Sequence, residues 1–213
     1  MKKVLIATPA LDQKVDAYYT HSLCESIVFG LEHDLNIKAV FLANESILPL
    51  ARNELLKLSY VDNYDDTVFI DADELWDPQD LVDIILNEKD VICVPVVNKS
   101  DQVEQYNIWY DKIETDDDGL FPIIKCGTGF LKLSAKVVAD LYESSEELIF
   151  RDKPLKNVFE YSQVNSDFIG EDITVCNKIK ELGYTIWCKP GTVYHVGNKM
   201  YTGDFVKLNR VWN

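Results

Sequence analysis

The hydrophobic positions of the chain fall into two alternating periods. Val4 to Ala7 is a short, continuous apolar run, the pattern of a strand buried on both faces, and Thr8-Pro9 ends it. Tyr19, Leu23, Ile27 and Leu31 then recur one helical turn apart. Ile37 to Leu42 reads as a second strand, closed by Asn44-Glu45-Ser46. Leu48, Ala51, Leu55 and Leu58 mark a second helix, with Arg52-Asn53 near its start. Thr67 to Ile70 is a third strand. Asp77 caps a third helix whose first position is Pro78. Val91 to Val97 is a fourth strand, almost wholly apolar. This β-α-β-α-β-α-β order predicts an α/β fold with parallel strands and helices on both faces. Ligands of such sheets bind beyond the carboxyl ends of the strands. Thr8, Asn44 and Asp71 all fall at such ends.

The pattern changes after Asn98. Tyr106 to Glu114 and Leu120 to Lys125 read as two strands around the polar turn Asp116-Asp117-Asp118-Gly119. Gly127-Thr128-Gly129 precedes a strand from Phe130 to Leu133, and Ser134 caps a helix through Leu141. Residues 144–168 show no period, which points to a lid, a binding loop or disorder. Gly170-Glu171-Asp172 opens a helix with Ile173, Cys176 and Ile179 on one face and Gly183 past its end. Thr185 to Cys188 and Thr192 to Tyr194 are short strands, the second closed by His195-Val196-Gly197.

Composition is that of a globular chain, 47% hydrophobic and 27% charged over 213 residues. No stretch is long and apolar enough for a membrane span. The basic and apolar start, Met1-Lys2-Lys3-Val4-Leu5-Ile6, meets Pro9 and Asp12 at once and reads as a first strand rather than a secretory signal. Five scattered cysteines without a Cys-x-x-Cys pair read as reduced thiols in a cytoplasmic compartment and argue against a zinc site. A net charge of −15 argues against general nucleic-acid affinity, although Lys189, Lys199, Lys207 and Arg210 form a basic C-terminal patch.

Four stretches carry candidate chemistry. In Val68-Phe69-Ile70-Asp71-Ala72-Asp73-Glu74 a buried run meets two carboxylates spaced one residue apart. Such oxygens suit Mg²⁺ or Mn²⁺ together with substrate phosphates; the plain alternative is an acidic loop. Glu171 and Asp172 are either helix capping or a catalytic or sugar-binding pair. His195 is either structural or a third ligand for an Mn²⁺-like ion, with Lys199 set to offset phosphate charge. Gly127-Thr128-Gly129 is either a tight connection or a backbone surface that a sugar can approach closely.

Taken in order, these stretches resemble a GT-A fold glycosyltransferase over about residues 1–200: VLIATP first, then FIDADELWDPQDL, KCGTGFLKLS, IGEDITVCNKIKELGY and VYHVG. Asn44-Glu45-Ser46, Ala51-Arg52-Asn53 and FIDAD are most similar to small glycosyltransferases of tailed phages, some of which modify hydroxymethylated DNA bases. The resemblance implies one GT-A domain over 1–213: a Rossmann-like, mainly parallel sheet in the nucleotide-sugar half (1–98) and a smaller mixed β part in the acceptor-side half (99–213). It implies Asp73 as a direct ligand of Mn²⁺ or Mg²⁺, Asp71 at the ribose or at metal-bound water, and His195 as a late metal ligand. Thr8, Pro9, Asn44, Arg52, Asn53 and Lys199 would hold the nucleotide sugar, UDP-linked, and Gly127–Gly129 would face the acceptor or sugar. Asp172, with Glu171 beside it, would be the base of an inverting reaction. His195 to Lys199 is similar instead to the tail of some retaining members, so the stereochemistry stays open. The resemblance implies a hydroxymethylated base in DNA as the acceptor; the alternative is a glycan or a lipid-linked acceptor. A nucleotidyltransferase would carry a glycine- and basic-rich loop after the first strand, which Thr8 to Asp12 is not. A sugar-binding module without catalysis would not need the acid pair and His195.

Overall fold

In the computed structural model, which describes residues 1–209, the first half follows the expected alternation. Strand β1 (Lys2–Ala10) leads to helix α1 (Ala17–Leu31), and β2 (Leu35–Ala43) to α2 (Leu48–Asp62). Strand β3 (Asp66–Ile70) passes through the two-residue β4 (Glu74–Leu75) to α3 (Pro78–Leu86) and β5 (Val91–Cys93). The helix starts are set locally. The side chains of Asp16 and Asp77 accept from the amides of Tyr18 and Gln79, and Pro78 stands where no amide is needed.

The second half contains β6 (Ile108–Trp109), β7 (Phe121–Ile123), β8 (Lys125–Cys126), β9 (Phe130–Ser134) and α4 (Ala135–Ser144). Two hairpins follow, β10 (Glu147–Phe150) with β11 (Lys153–Lys156), and β12 (Ser162–Val164) with β13 (Asp167–Ile169). The described chain ends with α5 (Glu171–Glu181), β14 (Ile186–Cys188), β15 (Tyr194–Val196), β16 (Met200–Tyr201) and α6 (Phe205–Asn209). No described helix is long and apolar enough to cross a membrane.

Seven strands form the main sheet in the order β2-β1-β3-β9-β5-β14-β7. Strands β2, β1 and β3 are mutually parallel, as are β5 and β14. Strand β9 lies between β3 and β5 and is antiparallel to both, so the fourth expected strand does not pair with the third. That strand also stops early. Pro95 has no amide to donate, and beyond it the ladder survives only as bridges at Val96 and Val97. The expected hairpin around Asp116–Gly119 is divided as well. The turn forms, with the Gly119 amide donating to the Asp116 carbonyl at 2.9 Å. Its second strand, however, joins the main sheet against β14, while β6 pairs with β8. Residues 144–168, expected to be irregular, form the two hairpins and the stretch that joins them.

Alternation along the strands splits the core into two layers. Leu5, Ala7, Phe69, Leu131 and Leu133 face α2, α4 and α5; Val4, Ile6, Val68, Ile70 and Phe130 face α1 and α3. The carboxyl ends of β1, β2 and β3 therefore open on one edge between the two helix layers.

Candidate active site

The acidic stretch after β3 is held by backbone on three sides. The Asp71 amide donates to the Gly129 carbonyl (3.1 Å), the Asp16 amide to Ala72 (2.8 Å) and the Val196 amide to Asp73 (2.7 Å). Strand β4 pairs with β15 so that His195 lies opposite Glu74, which brings the imidazole beside Asp73 across 122 positions of sequence (195 − 73).

Asp73 is the meeting point. His195 Nε2 lies 3.4 Å from Asp73 Oδ1, and Lys99 Nζ lies 2.5 Å from Oδ2. Burial alone would raise this carboxyl; the hydrogen bonds from His195 and Lys99 outweigh it and hold it at about 2. The other imidazole nitrogen, Nδ1, donates to the Val97 carbonyl at 3.1 Å. Nε2 therefore either carries a second proton toward Asp73 or turns a lone pair to the same point as Oδ1. In the second arrangement Oδ1 and Nε2 are two donors that could hold a Mg²⁺ or Mn²⁺ ion. Among the described residues no group of three or more His, Cys, Asp or Glu side chains is arranged to hold a metal. Of the expected trio, Asp73 and His195 are the two whose side chains approach each other.

Asp71 turns elsewhere. Its Oδ1 accepts from Arg52 Nη2 at 2.7 Å, and Arg52 Nη1 donates to Glu171 Oε1. The guanidinium is only 2% exposed and joins the start of α2, the end of β3 and the first turn of α5. Burial opposes its charge, but the carboxylates of Asp71 and Glu171 more than restore it. The acid pair consequently divides. Glu171 is occupied by Arg52, while half-buried Asp172 accepts, among the described residues, only from the Ile173 amide (2.7 Å).

Two further residues belong here. Lys99 carried no sequence signal beyond a lysine after the fourth strand. Glu74 directly follows Asp73 but is buried, 1% exposed, and its Oε2 has no partner among the described residues. Burial, then the charges of Asp71 and Asp73, push its carboxyl well up. A Cβ on Gly129 would displace the Glu74 carboxyl, so the glycine lets that carboxyl sit against the backbone.

The remaining expected residues have other tasks. Thr8 is fully buried, its hydroxyl bonded to Tyr19 at 2.6 Å. Pro9 is half-buried in β1, level with Leu42. Asn44 is exposed beyond β2, left-handed at φ 63°, and accepts from Gln13. Both halves of the Asn53 amide are bound to the backbone of Phe159, at 2.9 and 2.8 Å, so the expected nucleotide contact gives way to a structural bond. Lys199 pairs with Asp101, so it is Lys99, not Lys199, that stands by Asp73. Gly127 packs on Asn107, and the Thr128 hydroxyl is buried without a partner among the described residues. The basic patch is also neutralised in part: Lys189 pairs with Asp80 (2.5 Å) and Asp83 (3.3 Å), and Arg210 lies outside the described residues. A groove of about 570 Å³ lies elsewhere, lined by His21, Glu25, Trp76, Asp80, Thr192 and Asp204, and contains none of the expected residues.

No protein-family model matches the chain, and no curated protein matches it. Solved structures do. A197 from STIV superposes with a TM-score of 0.58 at 17% identity, over 93% of this chain and 87% of that one. TarS 1-349 from S. aureus gives 0.40 at 16% identity, over 66% of this chain and 49% of that one. The inositol-1-phosphate CTP transferase from T. maritima gives 0.44 at 14% identity, over 89% of each chain. The fold is of the GT-A type: a large mixed sheet, mainly parallel, between two helix layers, with a smaller β part beyond it.

Proposed function

We propose that the chain is a metal-dependent glycosyltransferase that moves a sugar from a nucleotide diphosphate sugar, UDP-linked, to an acceptor hydroxyl. The observation that carries this reading is the convergence of Asp73 Oδ1 and His195 Nε2, with Nδ1 already committed to Val97, next to the Arg52-bridged acids. Asp73 and His195 would hold Mn²⁺ or Mg²⁺, which when bound supplies Lewis-acid neutralisation of the leaving diphosphate. Lys99 adds a cation at the same point and takes the role first expected of Lys199. Arg52 keeps Asp71 and Glu171 in place. Asp172, the acid of the pair that Arg52 leaves unbound, accepts the proton of the acceptor hydroxyl if the reaction inverts. Both acceptor classes expected from the sequence, a hydroxymethylated base in DNA and a glycan, offer such a hydroxyl. The ion pairs that occupy Lys189 and Lys199 favour the glycan.

The test is a panel of UDP-sugars with Mn²⁺, read as UDP release. Release is expected from at least one donor, and Asp73→Ala is expected to abolish it while the circular dichroism spectrum stays the same. Full turnover by that variant, or release of sugar 1-phosphate instead of UDP, would sink the reading.

A further inference from the structure

Hairpin β12–β13 runs directly into Gly170, the residue that caps α5, and the Ser162 and Thr174 hydroxyls lie 3.2 Å apart at its base. Its register pairs Ser162 with Ile169 and Gln163 with Phe168. Tyr161 precedes the first strand and Gly170 follows the second, two positions from Asp172. Side chains alternate along a strand, so Tyr161, Gln163 and Phe168 share one face. The two rings are 5.1 Å apart, tilted by 38°, and their side chains are 48% and 72% exposed. Burial and then the Glu171 carboxylate push the Tyr161 hydroxyl up, which agrees with a ring beside the acid pair. Two adjacent exposed aromatics next to the Glu171–Asp172 carboxylates mark a contact surface rather than a core that failed to close.

Charge selects the occupant. From Glu160 to Ile169 the chain carries two acids, Glu160 and Asp167, and no lysine or arginine. The adjoining Lys178 is paired with Glu160 at 2.7 Å. A polyanion needs cations along its backbone, and this face offers none. A sugar ring needs an apolar surface for its C–H face and amide groups for its hydroxyls, which two aromatics and Gln163 supply.

We propose that the Tyr161–Gln163–Phe168 face is the acceptor platform and takes an uncharged saccharide, whose ring stacks on the two aromatics and whose hydroxyl is offered to Asp172. The assignment of the hydroxyl rests on the glycosyltransferase reading; the saccharide site does not.

The test is calorimetric titration of the full chain with cellotriose, maltotriose and chitotriose, and with a single-stranded oligonucleotide carrying 5-hydroxymethylcytosine. One of the saccharides is expected to bind, and Tyr161→Ala and Phe168→Ala are each expected to weaken it about tenfold. Both side chains are exposed, so the variants are expected to keep the wild-type circular dichroism spectrum. Binding of the oligonucleotide but of no saccharide overturns the proposal. So does binding of no ligand, or saccharide binding that neither variant changes. Saccharide binding that the variants lose, in a protein that releases UDP from no donor, overturns the transferase reading and leaves the platform standing. UDP release without saccharide binding does the reverse.

Discussion

Arg52 is a guanidinium with no exposed surface to speak of, held between two carboxylates that come from different parts of the chain. A charge in such a place is tolerated only while its partners remain, and removing one partner of a buried ion pair costs about 3–5 kcal/mol. Arg52→Ala is expected to lower the urea midpoint by a corresponding amount. Arg52→Lys should recover only part of it, because an ammonium cannot fork to Asp71 and Glu171 at once. Wild-type stability in Arg52→Ala would show that the two acids need no counter-charge. From the sequence this residue could be placed at the start of a helix and near the nucleotide. Its partners could not be named, because 119 positions separate it from Glu171. Asn53 shows the same limit: a polar residue beside the site is indistinguishable in sequence from one bound to the backbone of Phe159.

At the scale of elements, both hairpins between α4 and α5 turn on two residues with positive φ, Arg151 (50°) with Asp152 (59°) and Asn165 (49°) with Ser166 (71°). These are the conformations of a type I′ turn, whose usual sequence signal is Asn-Gly or Asp-Gly. Neither hairpin has that glycine, so the segment read as a loop. Ser166→Gly relieves the left-handed strain on an exposed side chain and is expected to stabilise the chain by about 0.5–1 kcal/mol. For a chain of this size that corresponds to a rise in melting temperature of about 1–4 °C. No rise, or a fall, would count against a hairpin there. The Asp116 turn, by contrast, was legible. Its carboxylate accepts from the amides of Asp118 (3.0 Å) and Leu120 (2.9 Å) and pairs with Lys89 at 2.7 Å. The hydrogen bond from Lys89 holds its carboxyl below the usual aspartate range. A depressed folded value means stability that is present above the ordinary value and lost as pH falls through the folded one. Asp116→Asn should therefore melt earlier than wild type at pH 7, and the gap should narrow as the pH falls below the ordinary aspartate value of about 4. A gap that persists in acid would point to geometry rather than charge.

Across the whole molecule, the core between the sheet and its helices gathers four of the five cysteines. Cys93 and Cys188 are level on neighbouring strands, and the Cys176 thiol donates to the Cys126 carbonyl at 3.4 Å. The Cys126 thiol and burial push Cys176 well up, so it stays a thiol at neutral pH. Cys24 alone is exposed. A thiol reagent under native conditions is expected to label about one site rapidly, and all five after denaturation in guanidinium. Rapid labelling of several sites in the native protein would contradict the packing of α5 on the sheet.

By itself the sequence determined the order of helices and strands in the first half, the cap of α3, and the place of the acidic stretch at the end of β3. Apolar period, helix capping and strand ends act over a few residues, and those residues are adjacent in the chain. Tertiary structure alone decided that β9 enters the sheet between β3 and β5, and that Pro95 ends the run that would have paired there. It decided that Asp73 meets His195 while Asp71 turns to Arg52, that Lys99 stands where Lys199 was expected, and that Tyr161 and Phe168 share a face beside Asp172. Each of these is a choice among several acids, lysines or aromatics of the same chemistry. The choice is made by which backbone segments pair across the fold and which charges burial forces together.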